Sequence, residues 1–317
     1  MAPPERVAVT SSPPSTQSAC APRPVPWGGP LARVRASVRG RRLVPTGLAL
    51  VGTDLLEKLM LALRPGRLAA GTAAMEAVVG GTPAEESVPG LARRHMAAMA
   101  RGWELTWRPW ELYKVPIDDL PRLRAAHAEG RGLLISYPHL GPPAAWVSLA
   151  HSLRPVYCPV GDWVLDDPRP GYNGYQLEHR RKLYCDAGFE LLHASGSART
   201  LIRVLKGGGI VHLAMDLPGQ TPTPFLGKTV EMADGTARLA RMTDCLIVPA
   251  ALVPRGRRWA VHVEETVDPR DYASPADLHQ ALAVIHEKFI MSAPEHLEDP
   301  LRPGGWAEAT RHGWRRA

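Results

Sequence analysis

Short apolar runs bounded by glycine or proline alternate with helical stretches through the second half of the chain, and this alternation constrains the fold more than any other feature. Five runs have the length and setting of buried strands: Gly132–Ser136, Pro155–Cys158, Gly188–Leu192, Ile210–Met215 and Leu246–Val253. Most are continuously apolar, the pattern of strands covered on both faces in a parallel sheet. Trp259–Val263 alternates instead and reads as a sheet-edge strand. Helices are expected over Ala145–Leu153, over Ala198–Lys206 up to Gly207-Gly208-Gly209, over Ala237–Met242, and from the cap Ser274-Pro275-Ala276-Asp277 to about Met291. Strands and helices in this order give an α/β sheet with helices on both faces.

The first half reads as helical. A helix is expected from Pro45 to Leu63, where Leu48, Val51, Leu55, Leu59 and Ala62 recur at helical spacing and Asp54 and Lys58 form an i,i+4 pair. Packing on the core is the default for its broad apolar face; resting on lipid is the alternative. Thr82-Pro83-Ala84-Glu85 has a capping-box pattern, Val88-Pro89-Gly90 is expected to break that helix, and another should run from about Leu91 to Leu105. Met96, Met99, Trp103, Trp107 and Trp110 follow at near-helical intervals. A buried stripe is the expectation, an acyl-chain tunnel the alternative. The layout is then a Pro-, Ser- and Ala-rich disordered tail at 1–30 and one domain over 31–317. That domain has a helical part at 31–129, an α/β core at 130–298 and a basic tail at 299–317.

Hydrophobic residues make up 45% of the 317 residues, enough for a sizeable core. The net charge of +7 suits phosphate-bearing partners, and much of it lies in Arg33, Arg35, Arg39, Arg41 and Arg42, either a solvated arm or a contact for an anionic membrane face. Without interleaved aromatics or a recognisable module, the run does not suggest nucleic-acid binding. Cys20, Cys158, Cys185 and Cys245 are scattered, which argues against a metal site and against a disulfide framework and fits a reduced, cytoplasmic setting. No run reaches the roughly 18 apolar residues of a spanning helix, and the N-terminus lacks the apolar segment of a signal peptide.

The first strand leads directly into Pro138-His139-Leu140-Gly141. Loops at the carboxyl ends of parallel strands are where open α/β sheets place ligands. A histidine there can serve as a general base or merely bond to backbone. Asp216 ends another strand, where it either faces the same crevice or caps the Pro218-Gly219 turn. Gly207-Gly208-Gly209 lacks the Gly-Lys-Ser/Thr of a phosphate loop.

The segment from Gly130 to Gly141 resembles the one that introduces the His-x-x-x-x-Asp/Glu motif of bacterial lipid A late acyltransferases and phosphatidylinositol mannoside acyltransferases, in the lysophospholipid acyltransferase superfamily. The stretches Leu201–Gly209, Pro224-Phe225-Leu226-Gly227-Lys228, Gly235–Ala240, Val248-Pro249 and Ala293-Pro294-Glu295-His296 match it in order and spacing across about residues 45–298. The resemblance implies a mixed, mainly parallel sheet flanked by helices and preceded by N-terminal helices. It implies transfer of an acyl group from a coenzyme A or carrier-protein thioester to a lipid or glycolipid, with histidine as base, a motif carboxylate orienting it, an arginine after the next strand binding substrate, and no cofactor.

Two positions depart from that pattern. Ala144 stands five residues after His139, where the carboxylate belongs, and Tyr157-Cys158-Pro159 replaces the family's Tyr-Arg-Pro. Asp216 is the leading replacement acid; Asp162, Asp166 and Asp167 lie in a loop rich in turn residues. Cys158 is either a small buried hydrophobe or a nucleophile. Lys228 and Arg238, in the matching motifs, are the preferred phosphate contacts among Arg181, Arg199, Arg203, Lys206 and Arg241, and Phe225 is a candidate substrate contact. The expected activity is acyl transfer to a hydroxyl or amine, with His139 as base and Asp216 as support. A hydrolase, lyase or cyclase on the same scaffold, or a non-catalytic acyl-binding protein, is the alternative.

Overall fold

The structure is a computed structural model that describes residues 37–166, 169–256, 258–298 and 300, together with Cys20, Ala21, Arg23 and Val25. Among the described residues from 37 on, six helices come first: α1 (Val38–Arg42), α2 (Thr46–Leu63), α3 (Pro65–Val79), α4 (Val88–Thr106), α5 (Pro109–Leu112) and α6 (Leu120–Ala128). The α/β part runs β1 (Leu133–Tyr137), α7 (Val147–Leu153), β2 (Val156–Val160), α8 (Asp162–Asp166), α9 (Gly171–Ala187), β3 (Phe189–His193), α10 (Ala198–Lys206) and β4 (Ile210–Ala214). A hairpin of β5 (Pro218–Phe225) and β6 (Lys228–Met232) follows, then α11 (Gly235–Thr243), β7 (Leu246–Arg255), β8 (Arg258–Val263) and α12 (Pro275–Ser292).

Six strands form one sheet in the order β3-β2-β4-β1-β7-β8. All neighbours are parallel except β7 and β8. The expected mixed, mainly parallel sheet preceded by helices is therefore present, and all six expected strands fall within a few residues of their places. One face packs Leu133, Ile135, Val156, Ile210 and Val248 against Val147, Leu149, Ala150, Leu183 and Ala187. The other packs Leu134, Val211 and Ile247 against Leu201, Leu205, Ala237, Leu278 and Leu282. Beyond the carboxyl ends of the strands, α3, α4 and the hairpin enclose a further cluster that includes Met75, Leu91, Leu140, Met215 and Phe225.

Topology places the site. The chain leaves β1 toward β2 on one side, whereas it leaves the adjacent β4 toward β7 on the other. Neighbouring strands whose connections diverge open a crevice at their carboxyl ends. His139 follows β1 and Asp216 follows β4, so both border it.

Several expectations need correction. Val88-Pro89-Gly90 does not break a helix but starts α4, since proline is tolerated in a first turn. The capping-box segment forms only a short 3-10 turn, Glu85–Ser87. Helices α3 and α9 and the hairpin had no expected counterpart. In α9, charged and polar residues interrupt any apolar period, and β5 carries prolines at 218, 222 and 224 that normally argue against a strand; in an isolated two-stranded ribbon the free edge tolerates them. The Met/Trp series is not a uniform core stripe: Trp107 is buried, but Trp103 is 45% exposed.

Helix α2 is inside out. Glu57, 5% exposed, faces inward and binds Arg67 at 2.8 Å, and Asp54 pairs with Arg101 of α4 rather than with Lys58. Leu48, Val51, Leu55, Leu56, Leu59 and Leu63 are all exposed, contrary to the packing default.

The cysteine reading is also overturned. Cys20 and Cys185 form a disulfide with Cα atoms 5.8 Å apart. Sequence spacing hides such a pair because 165 residues separate its members. Arg23 donates to Val164 O at 2.7 Å and its main-chain N–H to Glu178 at 3.2 Å, while buried Arg181 donates to Ala21 O at 2.5 Å. These residues of the expected disordered tail are thus fastened along α9; the rest of residues 1–30, Arg33, Arg35 and nearly all of 299–317 lie outside the described residues.

Candidate active site

His139 sits in a tight loop at the end of β1. Gly141 adopts φ +78°, and a Cβ there would lie 2.7 Å from the Trp259 ring and 2.9 Å from Leu252 Cβ. Glycine is required on both conformational and steric grounds, which explains the His-Leu-Gly sequence. The residues before Pro300 run antiparallel to this loop: Leu140 bridges Leu297, Gly141 N–H donates to His296 O at 2.8 Å, and Glu298 N–H donates to His139 O at 2.6 Å.

His139 Nδ1 lies 2.7 Å from Asp216 Oδ1, and His139 main-chain N–H donates to Asp216 Oδ2 at 3.0 Å. Asp216 is 1% exposed, and its carboxyl group makes two contacts with this one histidine. A histidine whose Nδ1–H donates to a carboxylate carries its lone pair on Nε2, which suits general-base chemistry. Sequence proximity does not bring this carboxylate to His139; the adjacency of β1 and β4 does.

The wall beside the dyad is aromatic and neutral. Tyr137 stacks on His212 with ring centroids 3.8 Å apart and meets His139 at 5.6 Å, and Trp146 packs edge-on to His212. Burial holds the His212 imidazole well below its ordinary range. On the other side Ser136 Oγ and His286 Nε2 are 2.8 Å apart, and burial pushes His286 down to about 4. Cys158 packs in the same core with Sγ 3.9 Å from His212 Nδ1, and burial pushes its thiol up to about 12, which disfavours the thiolate.

The remaining expected residues are not gathered here. Lys228 Nζ donates to Ala77 O at 2.8 Å and Glu76 O at 3.3 Å, neutralising the C-terminal carbonyls of α3. Arg238 is exposed and pairs with Asp234 at 2.7 Å, Arg199 is exposed on α10, and Phe225 is a core residue behind Leu140. Arg241 donates to Pro269 O. Asp162 caps Ser195, Asp166 meets His193 at 2.8 Å, and Asp167 lies outside the described residues. Ala144 is fully buried among apolar side chains. Sequence reasoning missed Ser136, His286, His212, Arg180, Tyr184 and Glu298. A strand-end serine was the sole hint of Ser136; His212 lies within an expected strand and Glu298 two residues past a matching motif, whereas His286, Arg180 and Tyr184 come from segments with no motif. Among the described residues, no group of three His, Cys, Asp or Glu side chains is arranged to hold a metal.

Comparison with known proteins follows the same line. The family described as bacterial lipid A biosynthesis acyltransferase matches residues 106–297, more than half of the chain. The chain is also similar to the crystal structure of the 1-acyl-sn-glycerophosphate (LPA) acyltransferase, PlsC, from Thermotoga maritima, with 14% identity, a TM-score of 0.37, and 78% of this chain and 97% of that chain covered. No curated protein matches. The family match carries the assignment and bears out the resemblance read from motif order. The matched segment runs from Thr106 to Leu297 and so takes in both His139 and Asp216: the chain belongs to the bacterial lipid A biosynthesis acyltransferase family and is an acyltransferase.

Proposed function

We propose that the protein transfers an acyl group from a coenzyme A or carrier-protein thioester to a hydroxyl or amine of a lipid, glycolipid or specialised metabolite, with His139 as the base. The observation that carries this reading is the 2.7 Å contact between His139 Nδ1 and Asp216, which supplies an orienting acid although Ala144 occupies the motif position. Nε2 takes the acceptor proton as the acceptor oxygen or nitrogen attacks the thioester carbonyl. The thiolate then leaves and receives that proton from the imidazolium, which Asp216 steadies. No cofactor enters the scheme.

The same reading has the protein work at an anionic membrane face. The outward leucines of α2 share that helix with exposed Lys58 and are followed by exposed Arg64, and Arg39 and Arg42 of the preceding α1 are exposed as well, a combination that suits an interfacial helix. No helix of the described residues is long and apolar enough to cross a membrane. The cytoplasmic side is supported by the family relationship and no longer by the cysteines, because disulfides persist chiefly in oxidising compartments; the thiol state of Cys20 and Cys185 in protein trapped with an alkylating agent at lysis tests that point.

The test of the activity is free-thiol release from a panel of acyl-coenzyme A and acyl-carrier thioesters with lysolipid, glycolipid and amine acceptors, for wild type and His139→Ala in parallel. Release that vanishes in the variant, with an acylated acceptor found by mass, is the expected result. An undiminished rate in His139→Ala removes the mechanism.

A further inference from the structure

The loop carrying His139 is gripped from one face of α9. Tyr184 donates its hydroxyl to Pro143 O at 2.7 Å. One turn earlier, Arg180 Nη1 lies 3.6 Å from Glu298 Oε1, and Glu298 N–H donates to His139 O at 2.6 Å. Residues four apart share a helix face, so α9 reaches both ends of the His139–Pro143 loop with two successive side chains. The side chains of Arg180 and Glu298 are each 17% exposed, which screens their attraction less than that of a surface pair. Around the helix from this face, Glu178, Arg181 and Cys185 hold Ala21, Arg23 and Cys20. Helix α9 is therefore bolted on one side and bolts the active-site loop on the other.

Asp216 fixes His139 at Nδ1 and at its main-chain N–H. The carbonyl side of the residue is fixed by Glu298 N–H, donated from the last segment before Pro300. If that segment shifts, the peptide between His139 and Leu140 can rotate and Nε2 swings away from the acceptor. The charged and titratable groups around the loop among the described residues include Asp216 and His212 from β4 and its end, Tyr137 from β1, Cys158 from β2, His286 from α12, His296 and Glu298 from the clamping segment, and Arg180 and Tyr184 from α9.

We propose that Arg180 is a positioning residue for His139, acting through its ion pair with Glu298. This rests on His139 being the base, yet its first readout needs no turnover. In the full-length protein with 15N-labelled histidine, the Nδ1–H proton shared with Asp216 should give a low-field NMR signal, assigned by its absence from His139→Ala. Arg180→Ala should broaden that signal or speed its exchange with water by on the order of tenfold, and Arg180→Lys, which keeps a cation for Glu298, should restore it. Glu298→Gln retains the main-chain donor and removes only the ion pair, so it should reproduce Arg180→Ala even if that variant folds poorly. In thiol release, kcat should fall by roughly 10- to 100-fold in Arg180→Ala, with the donor KM within about twofold.

A signal that exchanges as in wild type in both Arg180→Ala and Glu298→Gln overturns the proposal. So does an effect confined to KM, which would make Arg180 a substrate contact. A signal that responds as described in a protein consuming no thioester leaves Arg180 its positioning role and removes the acyl-transfer chemistry instead.

Discussion

At position 144 an alanine is enclosed by apolar side chains, while Asp216, seventy-two residues later, binds the histidine from the neighbouring strand. In the proposed mechanism the orienting carboxylate thus comes from a different place in the chain than the family motif puts it. Restoring a carboxylate by sequence logic should fail: Ala144→Asp buries a charge in the core beside Trp146 and Val147, and should lower unfolding stability by about 3 kcal/mol or more in urea titrations without raising activity. Gly141→Ala should cost roughly 2 kcal/mol or more by the same measurement, because its positive φ and the Trp259 ring both refuse a Cβ. His139 and Asp216 were legible in the sequence because each ends a continuous apolar run, and strand ends can be read locally. Arg180, Tyr184, Glu298 and His286 were not, because they reach the site from helices and a terminal segment whose placement depends on long-range packing. Lys228 and Arg238 stand at motif positions, and a motif marks a position in the fold: here Lys228 meets the carbonyls at a helix end and Arg238 pairs with Asp234 at a helix start.

Among the elements, α2 separates pattern from packing. Its apolar period was read correctly as helical, but period alone does not say which face turns inward. Buried Glu57, paired with the more exposed Arg67, and the partly exposed Asp54–Arg101 pair hold this orientation, since burying Glu57 unpaired would cost more than exposing leucines. If the exposed strip is a membrane contact, Leu55→Glu with Leu59→Glu should abolish co-sedimentation with phosphatidylglycerol vesicles while leaving the thermal midpoint within a few degrees, because neither side chain packs on the core. Unchanged sedimentation assigns the strip another role. Strands were easier to read than helices here: parallel strands are buried on both faces and advertise themselves by continuous apolarity, whereas α9 alternates buried Leu177, Arg181 and Leu183 with polar neighbours and shows no period.

The whole molecule keeps several imidazoles neutral by burial. His286 and His296 are pushed down to about 4, and His212 lies well below its ordinary range. Once unfolded, each binds a proton below about pH 6.5, so the unfolded chain takes up more protons than the folded one as pH falls from there toward 4. Stability from these groups is therefore complete above about pH 6.5 and lost progressively below it. The thermal midpoint should fall steadily between pH 6.5 and 4, and a flat profile across that window contradicts the burial of these rings. The disulfide acts at the same scale. Joining residues 165 apart restricts the unfolded chain, so reduction or Cys20→Ser should lower stability by about 2 to 4 kcal/mol. An unchanged midpoint after verified reduction would mean that the strap along α9 contributes nothing to the fold.

The measurement that bears most directly on the dyad is kcat for thiol release by Asp216→Asn, which keeps the shape of the side chain and removes its charge. If Asp216 orients His139 and steadies its imidazolium form, the rate should fall by a factor on the order of 1,000 to 10,000 with the fold intact. A rate within threefold of wild type would contradict the assignment of Asp216 as the acid that replaces the missing motif carboxylate.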